Sequence, residues 1–118
     1  MFSLTSSLRY YLYGEVTDMR KSFDGLCGVI QSQIKLSATS GEVFIFINKR
    51  RNQIKLLHWE QGGFILYYKR LEQGTFEIPT INTDTQNCYL EWAQLVMMVE
   101  GISLKNIHRR KRYKLKKE

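Results

Sequence analysis

The first clear periodicity in the chain falls between residues 22 and 36. Apolar residues recur there at intervals of three and four, which places them on one face of an α-helix. Ser22 stands directly before this pattern, at a position typical of a helix N-cap. The spacing predicts a helix over 23–36 that packs its apolar face on a sheet, and that face is formed by Phe23, Leu26, Cys27, Ile30 and Ile34.

After residue 42 the pattern changes to short runs of β-branched and aromatic residues. Short polar turns separate the runs, and connections this short join antiparallel neighbours. A further aromatic-rich run, 9–13, precedes the helix and ends at Gly14. The pattern therefore predicts a short N-terminal strand and a four-stranded antiparallel meander, with strands over 43–48, 53–59, 64–70 and 75–78.

The C-terminal third begins with a polar stretch, 80–87, that we interpret as a linker. Residues 89–100 are then helix-like and apolar on most sides, and Gly101 stands where a glycine often ends a helix. Such a helix needs cover on more than one side, which we expect from the sheet and from a partner. The predicted fold is therefore α+β, with a short strand, a helix packed on the meander, and a C-terminal helix.

Charge is distributed unevenly along the chain. Residues 105–118 carry eight Lys or Arg and one Glu, whereas residues 1–104 carry ten basic and ten acidic residues, so the net charge of +7 lies in a C-terminal arm. A dense block of like charge is typical of a segment that meets a polyanion such as nucleic acid. We therefore predict a single α+β domain over 1–104 and a basic arm over 105–118. A solubilising or partner-binding tail is the alternative for the arm.

The residues that carry chemistry argue against an enzyme. The sequence has no phosphate-binding glycine motif and no carboxylate constellation that could hold catalytic cations. Neither Cys27 nor Cys88 stands beside a histidine or in a zinc-binding pair. We expect no catalysis, no metal and no cofactor, and a small nuclease using His58 is the weaker alternative.

We expect neither a membrane span nor a signal peptide. Its longest uncharged apolar run, 95–99, is far short of the roughly 20 residues that span a bilayer. The N-terminus has neither a basic segment nor a sustained apolar core, so it does not resemble a signal peptide. We expect a cytoplasmic protein that does not associate with membranes.

Two basic clusters stand at turns of the predicted meander, at 49–51 and 69–70. They follow the first and third meander strands, which run in the same direction, so both should emerge at one end of the sheet about 10 Å apart. Arg and Lys grouped in this way suit contacts to phosphates, although hairpin turns are also often basic for solvation alone. The predicted nucleic-acid contacts are Arg20, Lys21, Lys49, Arg50, Arg51, Lys69 and Arg70 on the body, and Arg109, Arg110, Lys111 and Arg112 on the arm.

Aromatic residues on the predicted strands admit two interpretations. They could form a surface on which bases stack, or they could be core and cross-strand pairs, which is the more frequent role of such residues. The residues concerned are Tyr10, Tyr11, Tyr13, Trp59, Tyr67 and Tyr68.

The order of these segments resembles a known family. Residues 17–26 read TDMRKSFDGL, which is similar to a signature of the TnpB-like accessory proteins of IS66-type insertion sequences, the products of their second open reading frame. The runs 43–51, 54–59 and 63–76 also resemble the family. Asn52 stands where the family often has Asp, and Ile78 stands where it often has Trp. Neither difference removes a catalytic group.

The resemblance implies a bacterial accessory protein of transposition that works beside a separate transposase, which carries the acidic catalytic residues. Together with the basic clusters, it predicts a non-catalytic protein that binds mobile-element DNA or tethers the transposase to it. The alternative is a protein–protein adaptor or dimerisation module that docks through helix 89–100 without binding nucleic acid. Assembly into a homo-oligomer is compatible with both.

Overall fold

The computed structural model describes residues 4–79 and 88–100. The strands are β1 (Tyr10–Val16), β2 (Val43–Ile47), β3 (Gln53–Glu60), β4 (Gly63–Arg70) and β5 (Cys88–Leu90). Helix α1 (Phe23–Val29) continues directly into a π-helical turn (Ile30–Ile34), and helix α2 (Trp92–Glu100) follows β5.

The five strands form one mixed sheet in the order β4-β3-β2-β1-β5. Strand β1 lies parallel to β2, and every other neighbouring pair is antiparallel. Parallel neighbours need a long connection, which here contains α1 and the π-helical turn. The predicted α+β class is confirmed, but only β2, β3 and β4 form the antiparallel meander expected from the sequence.

The prediction of a fourth meander strand over 75–78 is wrong. Beyond β4 the chain turns back along the β2–β3 hairpin, where the N–H of Leu71 donates to the carbonyl of Asn52 (2.8 Å). The N–H of Phe76 likewise donates to the carbonyl of Arg51 (2.7 Å). Phe76 is thereby buried in the core, so this segment closes the end of the sheet instead of extending it. Strand β4 remains an edge, and β1 takes the place beside β2.

Helix α1 covers one face of the sheet, as its periodicity predicts. Leu26 and Ile30 are fully buried in a cluster with apolar side chains of β2 and β3. Phe23 in the first turn is instead 42% exposed, and Ser22 occupies the N-cap position without a capping hydrogen bond from its side chain. The helical segment ends at residue 34 instead of 36, because Lys35 adopts a left-handed backbone conformation with φ 64°.

Helix α2 covers the opposite face. Its buried residues Leu95, Met98 and Val99 pack with the side chains of β1, β2 and β3 that point away from α1. The helix begins at Trp92 and not at 89, because residues 88–90 pair with β1 as strand β5. Since both faces of the sheet are covered, β2 is buried along its whole length.

No helix within 4–79 and 88–100 is long and apolar enough to cross a membrane. The predicted linker over 80–87, Gly101 and the basic arm over 105–118 lie outside the described residues.

Candidate nucleic-acid interface

The two basic clusters of the body lie at the same end of the sheet. In the strand register Ile47 of β2 faces Ile54 of β3, and Gln53 of β3 faces Arg70 of β4. The β2–β3 hairpin over 48–52 therefore emerges beside the end of β4, with β3 between the two clusters. This confirms that both clusters emerge at one end of the sheet, as strand direction predicts.

The hairpin tip is fixed by the side chain of Asn48. Its Oδ1 accepts hydrogen bonds from the N–H groups of Asn52 (3.1 Å) and Gln53 (3.0 Å), and its Nδ2 donates to Oδ1 of Asn52 (2.8 Å). Within the described part of the chain, Lys49 and Arg50 are exposed and form no ion pair or side-chain hydrogen bond. The hairpin thus presents two unpaired cations on an ordered backbone.

The loop before α1 lies beside this hairpin and is ordered by Asp18. Its carboxylate accepts hydrogen bonds from the guanidinium of Arg20, with Nη2 to Oδ2 at 2.6 Å, and from the backbone N–H of Arg20 at 2.9 Å. These bonds, the guanidinium ones first, lower the pKa of the Asp18 carboxyl to about 2. Asp18 is therefore ionised at neutral pH, and Arg20 carries its charge next to a counterion.

Lys55, which belongs to neither basic cluster, attaches the loop to the sheet. Lys55 is only 5% exposed, and its Nζ donates to the carbonyls of Met19 (2.8 Å) and Lys21 (2.6 Å). The same Nζ lies 4.6 Å from the ring centroid of Tyr68. The sequence does contain a signal for this buried lysine, because Lys55 interrupts an apolar strand. Side chains alternate between the two faces of a strand, so Lys55 lies on the same face as Leu57, the one covered by α1.

These elements surround an open depression of about 550 Å³, which we call the basic depression. Asp18 and Arg20 line one side, and Lys49 and Arg50 line the other; Gln53 and Tyr68 of β3 and β4 also line it. Tyr68 is 52% exposed, and its hydroxyl donates to Oε1 of Gln53. The site is thus concave, carries the exposed cations Lys49 and Arg50 beside the Arg20–Asp18 ion pair, and contains one accessible aromatic ring.

The other predicted contacts do not line the basic depression. Lys69 points to the α2 face, where its Nζ donates to the carbonyl of Val99 at 2.9 Å, because alternation along β4 puts it opposite Arg70. Arg70 is exposed near the depression but forms an ion pair with Glu72 at 2.9 Å. Lys21 is exposed on the loop. Arg51 lines a separate depression of about 340 Å³ beside Ile78 and Pro79, and the arm residues Arg109, Arg110, Lys111 and Arg112 lie outside the described residues.

Five of the six aromatic residues considered for base stacking are buried or partly buried, as expected from the core and cross-strand interpretation. Tyr10 packs on Trp92 with ring centroids 5.6 Å apart, and Trp59 packs on Phe64 at 4.9 Å. Tyr11 and Tyr13 pack on phenylalanines of β2, and Tyr67 is partly buried against the α2-side core. Of the six aromatic residues considered, only Tyr68 is exposed.

The histidine of the nuclease alternative is buried within the sheet. His58 is 6% exposed and lies on β3 between Val43 and Ile65 of the neighbouring strands. Within residues 4–79 and 88–100 no three His, Cys, Asp or Glu side chains are grouped as a metal site. Burial raises the pKa of the Cys27 thiol, and the negative charge of Asp24 raises it further. Less of the thiol is therefore ionised at neutral pH, which makes Cys27 a poorer nucleophile.

Comparison with known proteins identifies the family. The family model described as IS66 Orf2 like protein matches residues 8–109. The chain belongs to the IS66 Orf2-like family. It is therefore a transposition-associated accessory protein of the type encoded by IS66 insertion sequences, and the family is not known as catalytic.

Two curated relatives of this IS66 Orf2-like protein come from Sinorhizobium fredii (strain NBRC 101917 / NGR234). The uncharacterized protein y4jC is 24% identical over 110 residues, which cover 93% of this chain and 92% of that protein. The uncharacterized protein y4hO is 30% identical over 97 residues, covering 81% of this chain and 82% of that protein. No solved structure matches the chain.

The segments that carry the family resemblance meet at the basic depression. Residues 17–26 include the loop with Asp18 and Arg20, 43–51 include the hairpin tip, and 63–76 include Tyr68. The structure thus brings together in space motifs that are separated by up to 50 residues along the chain of this IS66 Orf2-like protein.

Proposed function

We propose that this IS66 Orf2-like protein is a non-catalytic, cytoplasmic accessory factor that binds the DNA of its mobile element through the basic depression and its rim. The observation that supports this most strongly is the hairpin tip, where Lys49 and Arg50 are exposed and have no side-chain partner among the described residues, with Arg20 lining the same depression. A globular body with no net charge gains little by grouping cations at one end of its sheet, unless an anion is bound there.

The charge arrangement suits phosphate binding. Arg50 can contact a phosphate with two parallel N–H groups, and Lys49 adds a point charge. Arg20 and Arg70 already have carboxylate partners, Asp18 and Glu72, so their contribution requires exchange of one anion for another. We therefore expect Lys49 and Arg50 to supply most of the affinity of the body.

The basic arm extends this interface in our proposal. Its residues Arg109 to Arg112 would add phosphate contacts that are independent of the sheet, and tethering of the transposase would follow if both proteins occupied one DNA segment. The adaptor alternative receives less support, because Leu95, Met98 and Val99 of α2 are buried against the sheet of the same chain and are not available to a partner.

The proposal is tested by measuring how salt changes DNA affinity. Full-length protein and the double variant Arg50→Ala/Arg70→Ala are titrated into labelled duplex from an element end at several salt concentrations. Each lost phosphate contact should flatten the slope of log affinity against log salt by about 0.9, so the double variant should lose about 0.9 from Arg50, and about 1.8 in total if Arg70 exchanges Glu72 for a phosphate.

Arg9→Ala/Lys35→Ala is the matched control. It removes the same number of charges, and Arg9 also has a glutamate partner, Glu42, like Arg70 with Glu72. Arg9 precedes β1 and thus lies at the opposite end of the sheet from the basic depression. Equal slopes for the two double variants would contradict DNA binding at the basic depression.

A further inference from the structure

Tyr68 has an unusual position for an aromatic residue of this sheet. It lines the basic depression and is 52% exposed, whereas Tyr10 and Trp59 are packed against other rings. One face of the ring makes a cation–π contact with the buried Lys55, and the exposed remainder of the ring has no packing role in the core.

The ring is held in place by contacts at its edge and on one face. Its hydroxyl donates to Gln53, and the buried ammonium of Lys55 lies 4.6 Å from the ring centroid. Since Lys55 covers one face, the exposed surface of Tyr68 is its other face and edge. Such a ring loses little conformational freedom when a flat group stacks on it.

The surroundings of the ring favour one kind of flat group. The exposed cations Lys49 and Arg50 line the depression together with the ring and attract the phosphates that flank a base, and Arg20 lines it as well, paired with Asp18. Sites for single-stranded nucleic acid combine such a charged groove with an aromatic ring on which a base stacks. In a duplex the bases are paired and stacked on each other, so none can lie flat on a ring inside a concave site.

We infer that the basic depression accepts an unpaired nucleotide of the element DNA, with its base stacked on Tyr68 and its phosphates on Lys49 and Arg50. This rests on the proposed function and narrows its ligand to single-stranded or locally opened DNA. Duplex DNA would then contact the rim of the depression but not Tyr68.

The experiment compares Tyr68→Leu and Tyr68→Phe in the full chain. Affinity is measured by fluorescence anisotropy for three labelled 12-nucleotide probes of one sequence, namely a single strand, its duplex, and a single strand with abasic sites throughout. Tyr68→Leu should weaken binding of the single strand about tenfold, the effect of losing one base–aromatic stack. Tyr68→Phe keeps the ring and should bind nearly as the native protein does.

The abasic strand separates stacking from charge. It keeps the phosphates but lacks bases, so Tyr68→Leu should bind it as tightly as the native protein does. Duplex affinity and the salt dependence for every probe should be unchanged, because no charge is removed. Thermal melting of each variant accompanies the titrations to check that Lys55 still holds its loop.

The outcomes distinguish the two proposals. In one outcome the native protein binds duplex and single strand, and Tyr68→Leu weakens the affinity for both equally or leaves both affinities unchanged. Either result overturns the stacking inference while DNA binding stands. If loss of single-strand affinity is matched by an equal loss for the abasic strand, Tyr68 only positions Lys55, and the inference is again overturned. If no probe binds the native protein, the proposed function itself fails.

Discussion

Replacing Lys55 by methionine tests whether a buried ammonium holds the loop over 17–21 on the sheet. The substitution keeps the apolar stem and its approximate volume but removes the donor to the carbonyls of Met19 and Lys21. Both carbonyls then lack their partner, and the loop loses its attachment to β3. We expect Lys55→Met to destabilise the fold and to release the loop.

The magnitude follows from the contacts that are lost. Hydrogen bonds from a charged donor contribute about 1.5–3 kcal/mol each. Methionine no longer requires the desolvation of a buried charge, and carbonyls in a surface loop can be rehydrated, so part of that sum is recovered. We expect the free energy of unfolding to fall by about 2 kcal/mol, which for a chain of this size lowers the melting temperature by about 8 °C.

Urea unfolding followed by tryptophan fluorescence measures the stability change as a shift in midpoint at constant slope. Limited trypsin digestion with mass spectrometry measures loop release, because Arg20 and Lys21 are cleavage sites within the loop. Cleavage there should be faster in Lys55→Met than in the native protein. Lys35→Met is the control, since Lys35 is exposed and surface substitutions usually stay within about 0.5 kcal/mol.

Indistinguishable midpoints and loop cleavage rates for Lys55→Met and Lys35→Met would refute this reasoning. The loop would then be held by its other contacts, which include the hydrogen bond from the N–H of Thr17 to the carbonyl of Ile47 (3.0 Å), and the contacts of Lys55 would make no net contribution to stability.

Two further predictions concern the α1 side of the sheet. Leu26→Ala should cost about 3 kcal/mol of unfolding free energy by leaving a cavity under α1, whereas Phe23→Ala, at a residue that is 42% exposed, should cost clearly less; equal midpoint shifts in urea would disprove the assigned packing. Burial raises the pKa of Cys27, so its alkylation by iodoacetamide, followed by peptide mass spectrometry, should be slower in native than in urea-unfolded protein and should speed up as pH rises above the usual thiol range. A native rate equal to the unfolded rate at pH 7.5 would contradict the assigned environment of this thiol.

Local pattern alone predicted the elements whose faces are buried. The intervals of three and four from residue 23 identified α1, and the short turns around β3 fixed β2, β3 and β4 as antiparallel neighbours. Successive strands of a meander alternate in direction, so β2 and β4 end on the same side of the sheet. The placement of Lys49, Arg50 and Arg70 at that end was therefore predictable without coordinates. The motif over 17–26 was sufficient to indicate the family.

Strand order was decided by tertiary structure. Residues 75–78 have strand-like composition, but the N–H of Phe76 donates to the carbonyl of Arg51 and its ring is buried in the core, so the segment does not form a fourth strand beside β4. The place beside β2 went to β1, a parallel partner that is remote in sequence. Short-range pattern carries no information on such a pairing, because it depends on which apolar faces can be covered together.

The character of the candidate site also depended on tertiary structure. Lys69 and Arg70 are adjacent basic residues that the sequence does not distinguish. Because side chains alternate along β4, Lys69 lies on the α2 face, where it donates to the carbonyl of Val99, and Arg70 lies near the basic depression. Lys55 looks like a solvated lysine until the loop over 17–21 folds across it and supplies two carbonyls. Tyr68, on the edge strand β4, is the most exposed of the strand aromatics that the structure describes, with Tyr89 next at 42%, and it lies among the cations of the basic depression.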